Sequence, residues 1–383
     1  MQGFTAIDLI ILIVYLAAVL FAGLHFAKKE MKGKEYFKGD GTVPWWVTSV
    51  SIFATLLSPI SFLSLAGNSY AGSWLLWFAQ LGMLLAIPVT IKFFLPVYSK
   101  LDIDTAYHYL ELRFNSKGLR ILGAVMFIIY QIGRMSIIMY LPCMVLSNLM
   151  GVSVNVLIII MGVIAIIYSY TGGLKSVLWT DFIQGSVLLI GVTFGLIFLL
   201  SHIDGGLRAI FHEFTAGGKF LAADQPIFDP NILKDSVFLL IVGAGFNTMG
   251  SYVSSQDIVQ RFTTTTDTKK LNKMMLANGG VKSAYEWFNG SMGLVLGILI
   301  GTFILGAFTK VANTFGAVLA FIAASGVMVY IKYFVPAENV SIWSYSIISI
   351  AVSLVVGIPA SIIWRKVKGD NSKPAQYTTI YKD

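Results

Sequence analysis

Two charged residues stand where an apolar chain tolerates them least. Arg134 lies in FIIYQIGRMSIIMYL and Asp181 follows GGLKSVLWT at the start of an apolar run. An ionisable group inside a bilayer is expensive, so each is a functional hypothesis by default. A buried guanidinium needs an anion. For Arg134 that anion is either a protein acid or a carboxylate substrate, and the substrate is the favoured reading. A carboxylate is a hard oxygen ligand. Asp181 therefore suits a bound cation or proton, against the plainer alternative of an acid favoured by a helix start. Gln80, in WLLWFAQLGMLL, is a further polar group with few local partners, and Phe78 lies two residues before it. An interhelical hydrogen bond is the ordinary role for such an amide, and packing is the ordinary role for the ring.

These groups need elements that hold them inside a membrane. The segment 49–70 reads SVSIFATLLSPISFLSLAGNSY, with Thr55, Ser58, Ser61 and Ser64 around Pro59. Proline removes a backbone donor and displaces a carbonyl. In lipid, such loose groups are tolerated only where protein or a wet cavity surrounds them. The segment reads as a broken helix facing a site, or as a kinked helix whose serines bond back to their own backbone. The run 236–256 has a similar character, with Gly243, Gly245, Asn247, Thr248 and Gly250 at mid-depth and Phe246 beside them. Two interrupted helices in corresponding positions point to a transporter site between inverted repeats. Glycines of this kind also serve close packing.

Composition agrees with a membrane protein. Of 383 residues, 56% are hydrophobic and 12% charged, against roughly 25% charged in soluble domains. The net charge of +8 reflects Lys and Arg clustered between apolar runs, as cytoplasmic loops require, and does not indicate nucleic-acid binding. Cys143 is the sole cysteine, so it forms no intramolecular disulfide and reads as a small buried hydrophobe. The first apolar run has no basic segment before it and the length of a full span, unlike a cleavable signal. The four histidines show no metal spacing, and neither a Walker A motif nor GxSxG occurs. A membrane enzyme is not expected.

Ten helical spans are expected, over 7–27, 46–68, 74–97, 119–149, 153–171, 176–201, 236–256, 283–308, 313–334 and 343–364. Positive charge assigns loops 28–45, 98–118 and 257–282 to the cytoplasm. Seven spans alternate without conflict. Three more would leave Lys310 and the tail residues Arg365, Lys366 and Lys368 on the wrong side. Either one late run does not cross, or an odd number of spans is missing between about Lys273 and Gly280.

Three strings resemble the sodium:solute symporter family: GGLKSVLWTDFIQG (172–185), LDIDTAYHYLELRF (101–114) and SSQDIVQRF (254–262). Within it, FATLLSPISF (53–62) is similar to the first core helix of bacterial sialic acid transporters. The resemblance implies an all-α, polytopic membrane protein with an inverted-repeat, broken-helix transporter fold. It implies sodium-coupled symport of sialic acid (N-acetylneuraminate), a small anionic sugar, across a bacterial cell membrane by alternating access. Backbone carbonyls of Ala54 and Leu57 and the carboxylate of Asp181 would hold sodium, the co-transported ion. Ser58, Ser61, Phe78, Gln80 and Arg134 would contact substrate, with Phe246 as an aromatic gate. Leu56 departs from the pattern, where a hydroxyl residue can stand.

A larger departure follows KKLNKMM (269–275). The chain passes directly to LANGGVKSAYEWFNG (276–290), similar to the approach to the family's tenth core helix. Three core helices are then absent and the second repeat is incomplete. The implied organisation is an extra helix and loop (1–44), a first five-helix repeat (45–201), an extracellular loop (202–235), the first helix of the second repeat (236–282), three C-terminal helices (283–364) and a tail. Loss of the eighth core helix removes serine ligands for sodium, so weak coupling is expected. A symporter for another solute such as a sugar or proline, and a non-transporting binding or assembly protein, are the alternatives.

Overall fold

The computed structural model describes residues 5–26, 33, 36, 41–56, 66–101, 103–216, 218–221, 224–265, 267–279, 285–336 and 338–368. Most of these are helical, with no strand among them. The helices are α1 (Ala6–Phe26), α2 (Trp45–Leu56), α3 (Ala79–Phe93), α4 (Leu95–Lys100), α5 (Ala106–Phe114), α6 (Lys117–Met150), α7 (Val154–His202), α8 (Gly206–Ala216), α9 (Val237–Ser254), α10 (Gln256–Phe262), α11 (Thr268–Gly279), α12 (Tyr285–Phe308), α13 (Thr314–Phe334) and α14 (Tyr345–Lys368). Among the described residues, seven segments are long and apolar enough to cross a membrane. Two shorter apolar helices, Val154–Ile167 and Leu294–Phe308, accompany them. The flanks of α1 and of the second half of α7 expose Ile7, Ile10, Ile11, Phe194, Ile197 and Phe198, the surface a bilayer covers. This is a multi-pass membrane protein.

Local sequence sets the helix ends. The side chains of Thr105, Ser116, Ser236 and Asn313 accept from the backbone N–H groups of His108, Leu119, Leu239 and Gly316, satisfying donors that a helix start leaves free. Gly151 ends α6 in the left-handed region, where glycine meets no steric penalty. Gly173 breaks α7 at φ 54° and ψ −157°. A Cβ there would press on Tyr36, whose hydroxyl donates to the Tyr170 carbonyl at 2.9 Å. The two spans expected over 153–171 and 176–201 are thus joined by a single glycine.

The break expected near Phe246 lies elsewhere. α9 runs unbroken from Val237 to Ser254, and its glycines serve packing. A Cβ at Gly82 would overlap the Ile241 carbonyl, one at Gly243 the Trp343 carbonyl, and one at Gly250 the Ile300 side chain. Small residues let backbones approach this closely. The interruption comes at Ser255, which is extended (φ −84°, ψ 119°) between α9 and α10. Carbonyls beside the turn are satisfied from outside the helix: Tyr98 donates to Val253, and Tyr107 donates to Ser254 at 2.9 Å. Burial, and after it the charge of Asp257, pushes the Tyr107 hydroxyl well above its ordinary pKa, so it remains a donor.

The charge conflict in the last three spans resolves structurally. Arg113 is buried and donates to the carbonyls of Gly306 at 2.9 Å, Thr309 at 2.6 Å and Ala312 at 3.2 Å. The turn carrying Lys310 therefore sits beside α5, on the face assigned to the cytoplasm. At the other face, Ser341 N–H donates to the Leu233 carbonyl at 2.8 Å, beside the acidic loop. Gly297 packs on Ser346 and Ser349, and Gly301 on Ser353, so α12 and α14 run in the same direction. Both head toward the cytoplasm, and the basic end of α14 arrives where its charge belongs. α11 packs at the cytoplasmic end already, where Ser49 Oγ donates to the Met274 carbonyl at 3.2 Å. The crossing that parity lacks falls between α11 and α12.

The α3–α9 contact yields a test. Gly82→Val should overpack this crossing and lower stability by about 1–3 kcal/mol, read as an earlier melting transition of the detergent-solubilised protein. An unchanged transition would mean that the two helices do not meet at Gly82.

Candidate functional site

The site assembles at the C-terminal part of α2. Ser51 and Thr55 lie one turn apart on one face of this helix. The Thr55 hydroxyl bonds back to the Ser51 carbonyl at 2.8 Å, leaving its own carbonyl to accept from Arg134 Nη2 at 2.8 Å. α6 delivers Arg134 from the opposite side, 4% exposed. Its Nη1 pairs with Asp257 Oδ2 at 2.6 Å and lies 3.4 Å from Gln131 Oε1. The anion facing this guanidinium is a protein acid, contributed by α10.

Asp181 is eight residues beyond the Gly173 kink, well inside the helix rather than at an interfacial start. Its Oδ2 accepts from Ser51 Oγ at 2.6 Å and from Arg261 Nη2 at 2.6 Å. Arg261 Nε also donates to Ser51 Oγ at 2.9 Å. The same guanidinium donates through Nη1 to the Asp257 carbonyl. The two ion pairs are thereby linked by one short helix, with the Ser51 hydroxyl bridging Asp181 and Arg261. A buried pair is costly to break because the remaining charge is left uncompensated.

The other expected site residues lie apart from this cluster. Phe78 ends a short 3-10 turn, Leu75–Phe78, before α3, and meets Phe220 edge-on at 5.4 Å. Gln80 is half-buried in the first turn of α3, and among the described residues no hydrogen bond joins it to Arg134. Phe246 is half-buried on α9 and lines an apolar cavity of about 260 Å³ with Gly82, Ala86 and Met249. Ala54 lines a second cavity of about 380 Å³ with Tyr15, Gln184 and Gly185. There α7 approaches α2 closely, since a Cβ on Gly185 would come within 3.2 Å of the Ala54 Cβ. Leu57, Ser58 and Ser61 fall outside the described residues. Asp257, Arg261 and Ser51 complete the cluster without having been singled out, and Thr55 joins them from the hydroxyls noted around Pro59. The available signal was the acid and base one turn apart in SSQDIVQRF.

A family model matches residues 36–342, and it is the sodium:solute symporter family. The chain belongs to that family. It is similar to the sodium/sialic acid symporter SiaT of Proteus mirabilis, with 33% identity over 296 residues, 77% of this chain and 59% of the relative. It is also similar to the sodium/sialic acid symporter NanT of Aliivibrio fischeri, at 30% over 295 residues, 77% of this chain and 58% of the relative. The fold superposes with a TM-score of 0.84 and 25% identity on a solved substrate-bound, outward-open Na+-coupled sialic acid symporter. That alignment extends over 94% of this chain and 98% of the other. The chain spans less than two thirds of the length of these curated symporters.

The linked pairs can be tested by a double-mutant cycle. Arg261→Gln and Asp181→Asn should each destabilise the protein, by up to about 3–5 kcal/mol for a broken buried pair. The double variant should recover about 1–3 kcal/mol of their sum, measured by denaturation in detergent. Strict additivity would mean that the two groups do not interact.

Proposed function

We propose that this chain is a sialic acid carrier of the sodium:solute symporter type, in which Arg134 receives the substrate carboxylate and sodium coupling is weak. The observation that carries this reading is a guanidinium in the middle of a span, bonded to the backbone of the helix that leads into the Pro59 segment. A substrate carboxylate would take the place that Asp257 now fills on it. The sequence and fold likeness to sodium/sialic acid symporters supports the same substrate class. In this reading Ser58, Ser61, Phe78 and Gln80 contact the sugar and Phe246 closes over it. Carbonyls of Ala54 and Leu57, and the carboxylate of Asp181, bind the co-transported sodium.

Weak coupling follows from two features. The missing crossing between α11 and α12 accompanies the shortened span of the chain against its relatives, in keeping with loss of three core helices. In addition, one Asp181 oxygen, Oδ2, is already engaged by Arg261. The shortened span also favours a second reading, a membrane protein that binds its ligand without moving it.

Uptake of labelled N-acetylneuraminate into proteoliposomes decides among these. Expected is uptake that Arg134→Ala lowers by about thirtyfold or more, the loss of a charged hydrogen-bonded contact. A sodium gradient should change the rate by less than the roughly fivefold of a typical coupled site. Full uptake by Arg134→Ala would refute the assigned role of the arginine. Strong sodium-driven accumulation would refute weak coupling, and binding without flux would favour the second reading.

A further inference from the structure

α10 carries Asp257 and Arg261 one helical turn apart, the spacing at which side chains share a face. One holds Arg134 and the other holds Asp181, each at 2.6 Å. The carboxylate of Asp257 offers Arg134 what a substrate carboxylate would offer. The guanidinium of Arg261 offers Asp181 the positive charge a sodium ion would bring. Resting on the reading of Arg134 and Asp181 given above, we propose that the side chains of Asp257 and Arg261 on α10 form a tethered competitor, an internal zwitterion occupying both determinants until a substrate carboxylate and sodium displace them.

What is displaced is the pair of side chains, not the helix: Ile258, Val259 and Phe262 hold α10 in the core, each at most 1% exposed. The Asp257 side chain itself keeps 17% exposure. Asp257 is incompletely satisfied: its Oδ1 is buried with no hydrogen-bond partner among the described residues. Charge also balances in both states. With both side chains docked, each acid faces a base. With an anion on Arg134 and sodium on Asp181, the released Asp257 and Arg261 remain one turn apart and can pair with each other. Each ligand displaces its own internal rival, so substrate and sodium are linked only through that released pair, in keeping with weak coupling.

The competitor acts as a tax on apparent affinity, so removing half of it should tighten binding of the matching ligand. The full chain in detergent is assayed by ligand-dependent thermal stability and equilibrium binding. Asp257→Asn should be stabilised by millimolar formate, where the unaltered protein is not, and should bind N-acetylneuraminate about tenfold more tightly. Arg261→Gln should gain stabilisation by sodium over choline that the unaltered protein lacks. Formate stabilisation of Asp257→Asn without any N-acetylneuraminate effect would uphold the competitor and refute the substrate class. Equal N-acetylneuraminate binding by Asp257→Asn and the unaltered protein, with no formate effect, would uphold the substrate and refute the competitor. If Asp257→Asn does not fold, Arg261→Gln decides: no gain in sodium response overturns the proposal.

Discussion

A charge buried in a membrane protein must be answered by another charge, and here four of them answer one another. Arg134 with Asp257, and Arg261 with Asp181, bring together α6, α10 and α7, with α2 between them through Ser51 and Thr55. Removing water from a carboxylate or guanidinium costs several kcal/mol per ion unless geometry compensates. The placement of these four helices is therefore tied to keeping both pairs intact. Much of the remaining packing brings them close enough: glycines at the α3–α9 crossing and at the α7–α2 contact, and tyrosine hydroxyls that close the turn at Ser255.

The same arrangement suits a binding protein that must respond to ions. A pair that is merely structural would best be fully satisfied. Here Asp257 leaves Oδ1 without a hydrogen-bond partner among the described residues, on a side chain that is 17% exposed. The weakened sodium dependence inferred for this shortened member follows from the pairing of Asp181 with Arg261, since an internal guanidinium does not depend on an ion gradient.

Much of this was legible in the amino-acid sequence, for reasons that differ by residue. Arg134 and Asp181 stand out because they are charges in mostly apolar runs, and rarity is a signal a single sequence carries. Their partners do not stand out. Asp257 and Arg261 lie in a stretch of ordinary loop polarity, and they meet Arg134 and Asp181 across separations of 123 and 80 residues, which no local pattern reports. The glycines of α9 were ambiguous for another reason. A glycine that loosens a helix and one that admits a neighbouring backbone look identical until the neighbour is known. The true interruption, at Ser255, carries neither glycine nor proline. The parity of Lys and Arg, by contrast, anticipated a missing crossing, and Arg113 then fixed on which face Lys310 lies.

The central claim is that Asp257 and an incoming carboxylate compete for one guanidinium. An experimental structure of the full chain with N-acetylneuraminate and sodium tests it most directly. The account expects the ligand carboxylate on Arg134, with Asp257 withdrawn and paired to Arg261. A bound ligand elsewhere, with the Arg134–Asp257 pair still closed, would contradict it.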